Sequence, residues 1–137
     1  INKWATLLAL SSNNDKPSEL IRQILITARM CEFIAQATES IDPELAFITG
    51  VLSMLDALLE VEQSTLLDQL SVSEEIVKAI SGYEGKAGKL LQTVNFYMIG
   101  QSSFALPPDE KKIYAEAYFE SLRWSNEAMR MMEGSHL

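Results

Sequence analysis

Few residues in this chain are equipped to make or break bonds. There is one cysteine, Cys31, and one histidine, His136, which lies one residue from the C-terminus. A thiol becomes a nucleophile when a neighbouring base or positive charge favours the thiolate, and no second histidine exists to serve Cys31. Cys31 also falls on an apolar stripe with Ile24, Ala28 and Ala35, so it reads as a small buried hydrophobe. Helical metal centres need histidines at helical spacing beside carboxylates, and with His136 set aside that inventory is empty. Neither a D-x-D-x-D-G calcium loop nor a P-loop, G-x-G-x-x-G or G-x-S-x-G motif occurs. Gly82, Gly85 and Gly88 recur every three residues, but no strand precedes them, so they read as the end of one helix and the start of the next. The expectation is no catalytic residue, no metal ligand and no cofactor site.

Charged and aromatic residues are left to carry function. Asp56 interrupts the apolar run FITGVLSMLDALL, yet Thr49, Ser53, Asp56 and Glu60 recur at spacings of four, three and four. That places them on one polar stripe, expected on the wetter face of a helix. Arg22 and Arg29, and again Arg123 and Arg130, stand seven apart and share a helix face. Salt bridges to nearby acids are the simpler reading, with an anion site as the alternative. Glu116 and Glu120 read as a solvated face, and the methionines Met129, Met131 and Met132 as ordinary helix packing. The expected partner-binding residues are Phe96, Tyr97, Tyr114, Tyr118, Trp124 and Met129, aromatic and thioether side chains of the kind that form contact patches, or else core.

Helices must position these groups. Pro17, Pro43 and the pair Pro107-Pro108 each stand where a helix can begin, because the first turn does not use the missing N–H. Three long helices follow, over about residues 15–40, 42–60 and 107–133, the second with Asp42 as N-cap and Pro43 at its first position. Leu20, Ile24, Ala28, Cys31 and Ala35 mark the buried stripe of the first. Ile113, Ala117, Trp124, Ala128 and Met131 mark that of the last, with Tyr114, Tyr118, Leu122 and Met129 beside it. Shorter helices are expected over 2–10, 64–70, 73–80 and 86–99, with Ser73, Glu74 and Glu75 suited to an N-terminus. Gly50, unusual in a helix interior, implies a close helix–helix approach. No segment alternates polar and apolar residues with turn punctuation, so the fold class is all-α, an orthogonal bundle of about seven helices.

The whole is one acidic domain. Its 137 residues carry 19 Asp and Glu against 11 Lys and Arg, a formal charge of −8, with 47% hydrophobic and 22% charged residues. Nucleic-acid binding is disfavoured without a basic footprint. A membrane span is disfavoured because the strongest apolar run, 45–55, is about half the length a bilayer needs. The linkers expected at 11–16 and 101–106 are too short to divide domains. Residues 1–133 are therefore read as the domain, and 134–137 as a tail. The abrupt apolar start, INKWATLLAL, reads as a piece of something longer. No signal segment is visible, and the expected location is the cytoplasm.

Sequence motifs then point to a family. Ala46-Phe47-Ile48-Thr49-Gly50-Val51-Leu52-Ser53-Met54-Leu55-Asp56-Ala57-Leu58-Leu59, preceded by Ala28-Arg29-Met30-Cys31-Glu32, resembles the HDOD family, the HD-related output domains. Leu70-Ser71-Val72-Ser73-Glu74-Glu75-Ile76, Tyr83-Glu84-Gly85 and Leu90-Leu91 continue the resemblance, which covers about residues 3–100. It looks most like the subgroup joined to an EAL-type cyclic-di-GMP phosphodiesterase domain in bacterial signalling proteins. In HD enzymes the matching helix carries G-L-L-H-D, whose His-Asp pair binds metal; here it reads Gly50-Val51-Leu52-Ser53-Met54. The resemblance therefore implies an HD-like helical fold without its metal ligands. It further implies a regulatory module, not an enzyme, that relays or gates an adjoining EAL-type domain or another signalling protein, or pairs with a second copy. The alternatives are a divergent HD-type phosphohydrolase with its ligands outside this chain, and a small-ligand sensor with a pocket between helices.

Overall fold

The computed structural model describes residues 18–100 and 106–134, which form six helices with no strand among them. These are α1 (Ser18–Thr38), α2 (Pro43–Leu59), α3 (Gln63–Gln69), α4 (Glu74–Gly82), α5 (Gly85–Met98) and α6 (Pro108–Gly134). The expected all-α class holds. Among the described residues the count is six of the about seven expected; the helix expected over 2–10 and the linker at 11–16 lie outside the described residues, as does all but the last position of the linker at 101–106.

Local chemistry sets the helix ends. Asp42 takes the N-cap place of α2 with extended backbone, Pro43 follows in the first turn, and the Ala46 amide closes the first turn on the Asp42 carbonyl at 3.0 Å. The Asp42 side chain makes no capping bond, so Pro43 and the carbonyl do that work. Ser73 caps α4 through its hydroxyl oxygen, which accepts from the Ile76 amide at 3.4 Å, and Glu74 and Glu75 face the positive end of the helix dipole. Both α2 and α4 stop on a left-handed residue, Glu60 and Tyr83, and the next amide turns back onto the helix, Val61 to the Asp56 carbonyl five residues back and Glu84 to the Lys78 carbonyl six back.

α1 is the spine. Ile24, Leu25, Ala28, Met30 and Ala35 are wholly enclosed, and the helix joins two apolar clusters along its length. Its first half packs with Phe47, Val51 and Leu58 of α2 and with Ala128 and Met129 of α6. Its second half packs with Leu90, Leu91 and Val94 of α5 and with Tyr114 and Ala117 of α6. Leu52, Leu67 and Ile76 make a smaller cluster that ties α3 and α4 to α2. Every fully buried leucine or isoleucine here is worth roughly 1.5–3 kcal/mol relative to exposure.

Two glycines earn their places by contact. A Cβ on Gly50 would lie 2.7 Å from Cα of Ala28, so α1 and α2 meet nearly backbone to backbone, the close approach the sequence implied. A Cβ on Gly88 would lie 2.2 Å from the Tyr83 carbonyl carbon, so α5 can turn back on α4 only with hydrogen at that position. Gly82 ends α4 and Gly85 starts α5, as expected of a helix-to-helix punctuation.

Two expectations need correction. The stripe through Thr49, Ser53, Asp56 and Glu60 is not uniformly wet: Thr49 is buried, Ser53 and Asp56 are half-buried, and only Glu60 is exposed. The hydroxyls can enter the packing because each is satisfied within its own helix, Thr49 donating to the Leu45 carbonyl and Ser53 to the Gly50 carbonyl, both at 2.7 Å. On α6, Met131 is exposed and Trp124 only half-buried, whereas Ser121 and Ser125 take the buried places between Ala117 and Ala128.

Candidate functional site

The groups with chemical potential are mostly withdrawn from solvent. Cys31 is buried between α1, α5 and α6, and desolvation pushes its thiol up to about 12, the opposite of what a reactive thiol needs. Tyr114, in the same cluster, is also pushed up to about 12, first by burial and then by the Glu110 charge. At the two positions that the sequence resemblance sets against the HD His-Asp pair, α2 has Ser53, whose hydroxyl is turned onto its own backbone, and Met54, packed against the first core cluster. Neither fits a hard-metal site. Among the described residues no group of three or more His, Cys, Asp and Glu converges to hold a metal ion.

The polar cluster of most interest lies where α1 meets α6. Arg29 donates from Nη1 to Glu32 Oε1 at 3.1 Å and stands 3.8 Å through Nη2 from Glu120 Oε1. Its guanidinium lies 5.8 Å from the centroid of the Phe33 ring, a cation–π contact within one helix. Glu120 also pairs with Arg123 through its other oxygen at 2.5 Å. One carboxylate thus bridges a largely covered arginine on α1 and an exposed one on α6. Arg22 is paired with Glu19 at 3.3 Å and hydrogen-bonds Asn126, and Arg130 is paired with Glu127 at 2.6 Å. All four arginines therefore take the salt-bridge reading. Glu120 departs from the solvated-face expectation, being only 28% exposed.

Above this cluster opens a shallow groove of about 470 Å³ lined by Phe33, Glu116, Phe119, Glu120 and Arg123. Phe119 is 69% exposed, as exposed as any large apolar side chain in the described residues. A second depression, of about 250 Å³, lies between α3 and α4 and is edged by Ser64, Leu67, Asp68, Val72, Val77 and Ser81.

The six residues expected to bind a partner are distributed differently. Tyr114 and Met129 are buried in the two main clusters. Tyr97 stacks obliquely on Tyr114 at 5.7 Å and on Tyr118 at 6.2 Å, closing the outside of the second cluster. Trp124 meets Phe47 edge to face at 5.9 Å. Phe96, Tyr97, Tyr118 and Trp124 are all half-buried. Phe119, Phe33, Arg29 and Glu120 were not singled out as a site. The available signal was Phe119 itself, the one aromatic in a run of charges on the outer face of α6.

Comparison with known proteins adds two relatives. The chain is similar to the uncharacterized protein YuxH of Bacillus subtilis (strain 168), at 26% identity over 94% of this chain and 33% of the relative. It is also similar to the cyclic di-GMP phosphodiesterase CdgJ of Vibrio cholerae serotype O1, at 30% identity over 91% of this chain and 31% of the relative. The chain therefore spans about a third of the length of these relatives. No family model matches it, and no solved structure does. No described helix is long and apolar enough to cross a membrane.

Proposed function

We propose that this chain is a non-catalytic regulatory module of cyclic-di-GMP signalling, of HDOD type, which acts on an EAL-type phosphodiesterase domain through helix surfaces. The observation that carries the reading is the similarity to CdgJ across nearly the whole chain, combined with an α2 that holds Ser53 and Met54 where an HD enzyme would hold metal ligands. The burial of Cys31 and the pairing of all four arginines support a role without bond-making residues. The exposed groove beside Phe119 supports contact as the mode of action, because an apolar ring ringed by charges is poorly served by water. Regulation would then consist of the module binding one state of its partner more tightly than another.

Two assays test this. The chain alone, with cyclic-di-GMP and Mg²⁺ or Mn²⁺, is expected to release no linear dinucleotide above the buffer rate. Added to an EAL-type phosphodiesterase domain, it is expected to change that domain's turnover. Hydrolysis by the chain alone overturns the non-catalytic reading, and unchanged turnover at saturating module overturns the regulatory one.

A further inference from the structure

The solvent face of α6 carries a charge pattern that a second copy of the same helix would satisfy. We propose that this face is a self-pairing seam, on which a second copy of the chain docks with its α6 antiparallel, about a two-fold axis passing near Phe119 and Glu120. The second copy would occupy the groove beside Phe119 that also serves as a contact surface in the proposed function, and self-association is read by oligomeric state, independently of any effect on a phosphodiesterase.

At about 100° per residue, Phe119 and the charged residues along α6 fall within an arc of roughly 80°. Asp109, Lys112 and Glu116 precede the ring and are exposed; Arg123, Glu127 and Arg130 follow it and are exposed too. Read from the N-terminus the signs run minus, plus, minus, then Phe119, then plus, minus, plus. Reversed, the same string has every sign inverted. In an antiparallel pair Glu116 of one copy faces Arg123 of the other, Lys112 faces Glu127, and Asp109 faces Arg130. All three pairs are centred on the same point, between residues 119 and 120. A parallel pair would set every charge against its own kind, so the pattern selects direction as well as partner.

The monomer leaves these charges available. Asp109, Lys112 and Glu116 have no ion-pair partner among the described residues. Arg123, Glu127 and Arg130 are held only by pairs one helical turn away on an exposed surface, which are worth little and exchange readily. At the centre, Phe119 touches Tyr118 at a ring distance of 6.2 Å and otherwise projects outward. The groove beside it, floored by Phe33 and flanked by Glu120, is a seat for the partner's ring. An apolar anchor at the axis with charge pairs toward the rim is the usual anatomy of a protein interface. The seam runs about 31 Å along the helix, which is short for a permanent dimer, so association in the micromolar range is expected.

Sedimentation equilibrium of the 137-residue chain at low salt, from about 1 to 500 μM, reads the prediction directly. The wild type is expected to shift from monomer to dimer with concentration. Phe119→Glu is expected to remain a monomer throughout. Glu116→Arg or Arg123→Glu alone is expected to weaken the dimer about tenfold or more, and the double exchange to restore it to within about threefold. In the double variant Arg at 116 can still reach Glu120 one turn on, and a native thermal melt shows that the fold survives. A monomer at every concentration, indifference to single charge reversal, or failure of a natively melting double exchange to restore pairing overturns the seam. Direction is read by cross-linking: a mixture of Glu116→Cys and Arg123→Cys chains is expected to give mainly the mixed disulfide. Dominance of like-with-like disulfides overturns the antiparallel arrangement. Cys31, being buried, stays out of this chemistry.

Discussion

α1 is held on two sides by different means. Against α2 the contact is one of size: Gly50 lies over Ala28 so closely that a single added carbon would meet backbone. Against α6 the contact is one of placement: small residues make the face, and Arg22–Asn126, Arg29–Glu120 and the tyrosine cluster decide where it sits. A size-based contact admits one arrangement or none. A contact placed by polar groups tolerates small adjustments, which is the property a helix needs if its outer face is to meet a partner.

The largest expected effect falls on the first side. Gly50→Ala gains about 1 kcal/mol of helix propensity, yet the clash with Ala28 should leave a net loss of about 1–3 kcal/mol in urea unfolding. Because the obstacle is the backbone of Ala28, the added Ala28→Gly change should not rescue it. Rescue would mean that side chains, not backbones, set the spacing.

Alkali probes the second side. Cys31 and Tyr114 are uncharged when protonated, and burial raises both to about 12 from ordinary values of 9.0 and 10.0. Above pH 9 the unfolded chain sheds protons that the fold retains, so unfolding is progressively favoured. Their contribution is fully present below pH 9 and lost toward pH 12, and urea midpoints from pH 8 to 11 should fall accordingly. Cys31→Ala should flatten the part of that decline that begins near pH 9.

Smaller effects grade the polar contact itself. Glu120→Ala removes the carboxylate shared by Arg29 and Arg123 and should cost about 1–2 kcal/mol, less in high salt. A salt-independent loss would show that packing, not charge, was removed. Ser121→Ala should stabilise by about 0.5–1 kcal/mol, because the buried Ser121 hydroxyl has no hydrogen-bond partner among the described residues and its loss ends a desolvation cost.

Much of this was legible in the sequence, for reasons that are local. Proline and glycine positions and the spacing of Leu20, Ile24, Ala28 and Cys31 placed the six described helices within about three residues, because first-turn prolines and left-handed ends act through neighbouring backbone. Gly50 announced a close approach because a helix-interior glycine needs a reason. The Arg29–Glu120 bridge was not legible, since it joins residues ninety-one positions apart and depends on how two helices are laid side by side. Thr49 misled for the converse reason: a hydroxyl looks polar in sequence, but bonded to its own helix it packs like a small apolar group. Tyr114 and Met129 were left between contact patch and core because aromatic and thioether residues serve both, and only the fold separates the two.

The small residues on the inner face of α6 have one further consequence. Ala117, Ser121, Ser125 and Ala128 project little toward α1 and let the two helices lie close, while Tyr114 and Met129, at either end of that strip, lock into the two clusters built on α1. Two polar contacts, Arg22 with Asn126 and Arg29 with Glu120, lie along the same stretch and match the register those two side chains set. A slip of one residue, about 1.5 Å, would unseat both side chains and stretch both polar contacts at once. α6 is therefore a key cut at both ends, held to one position along α1 by what projects at its two extremities and not by the plain strip between them.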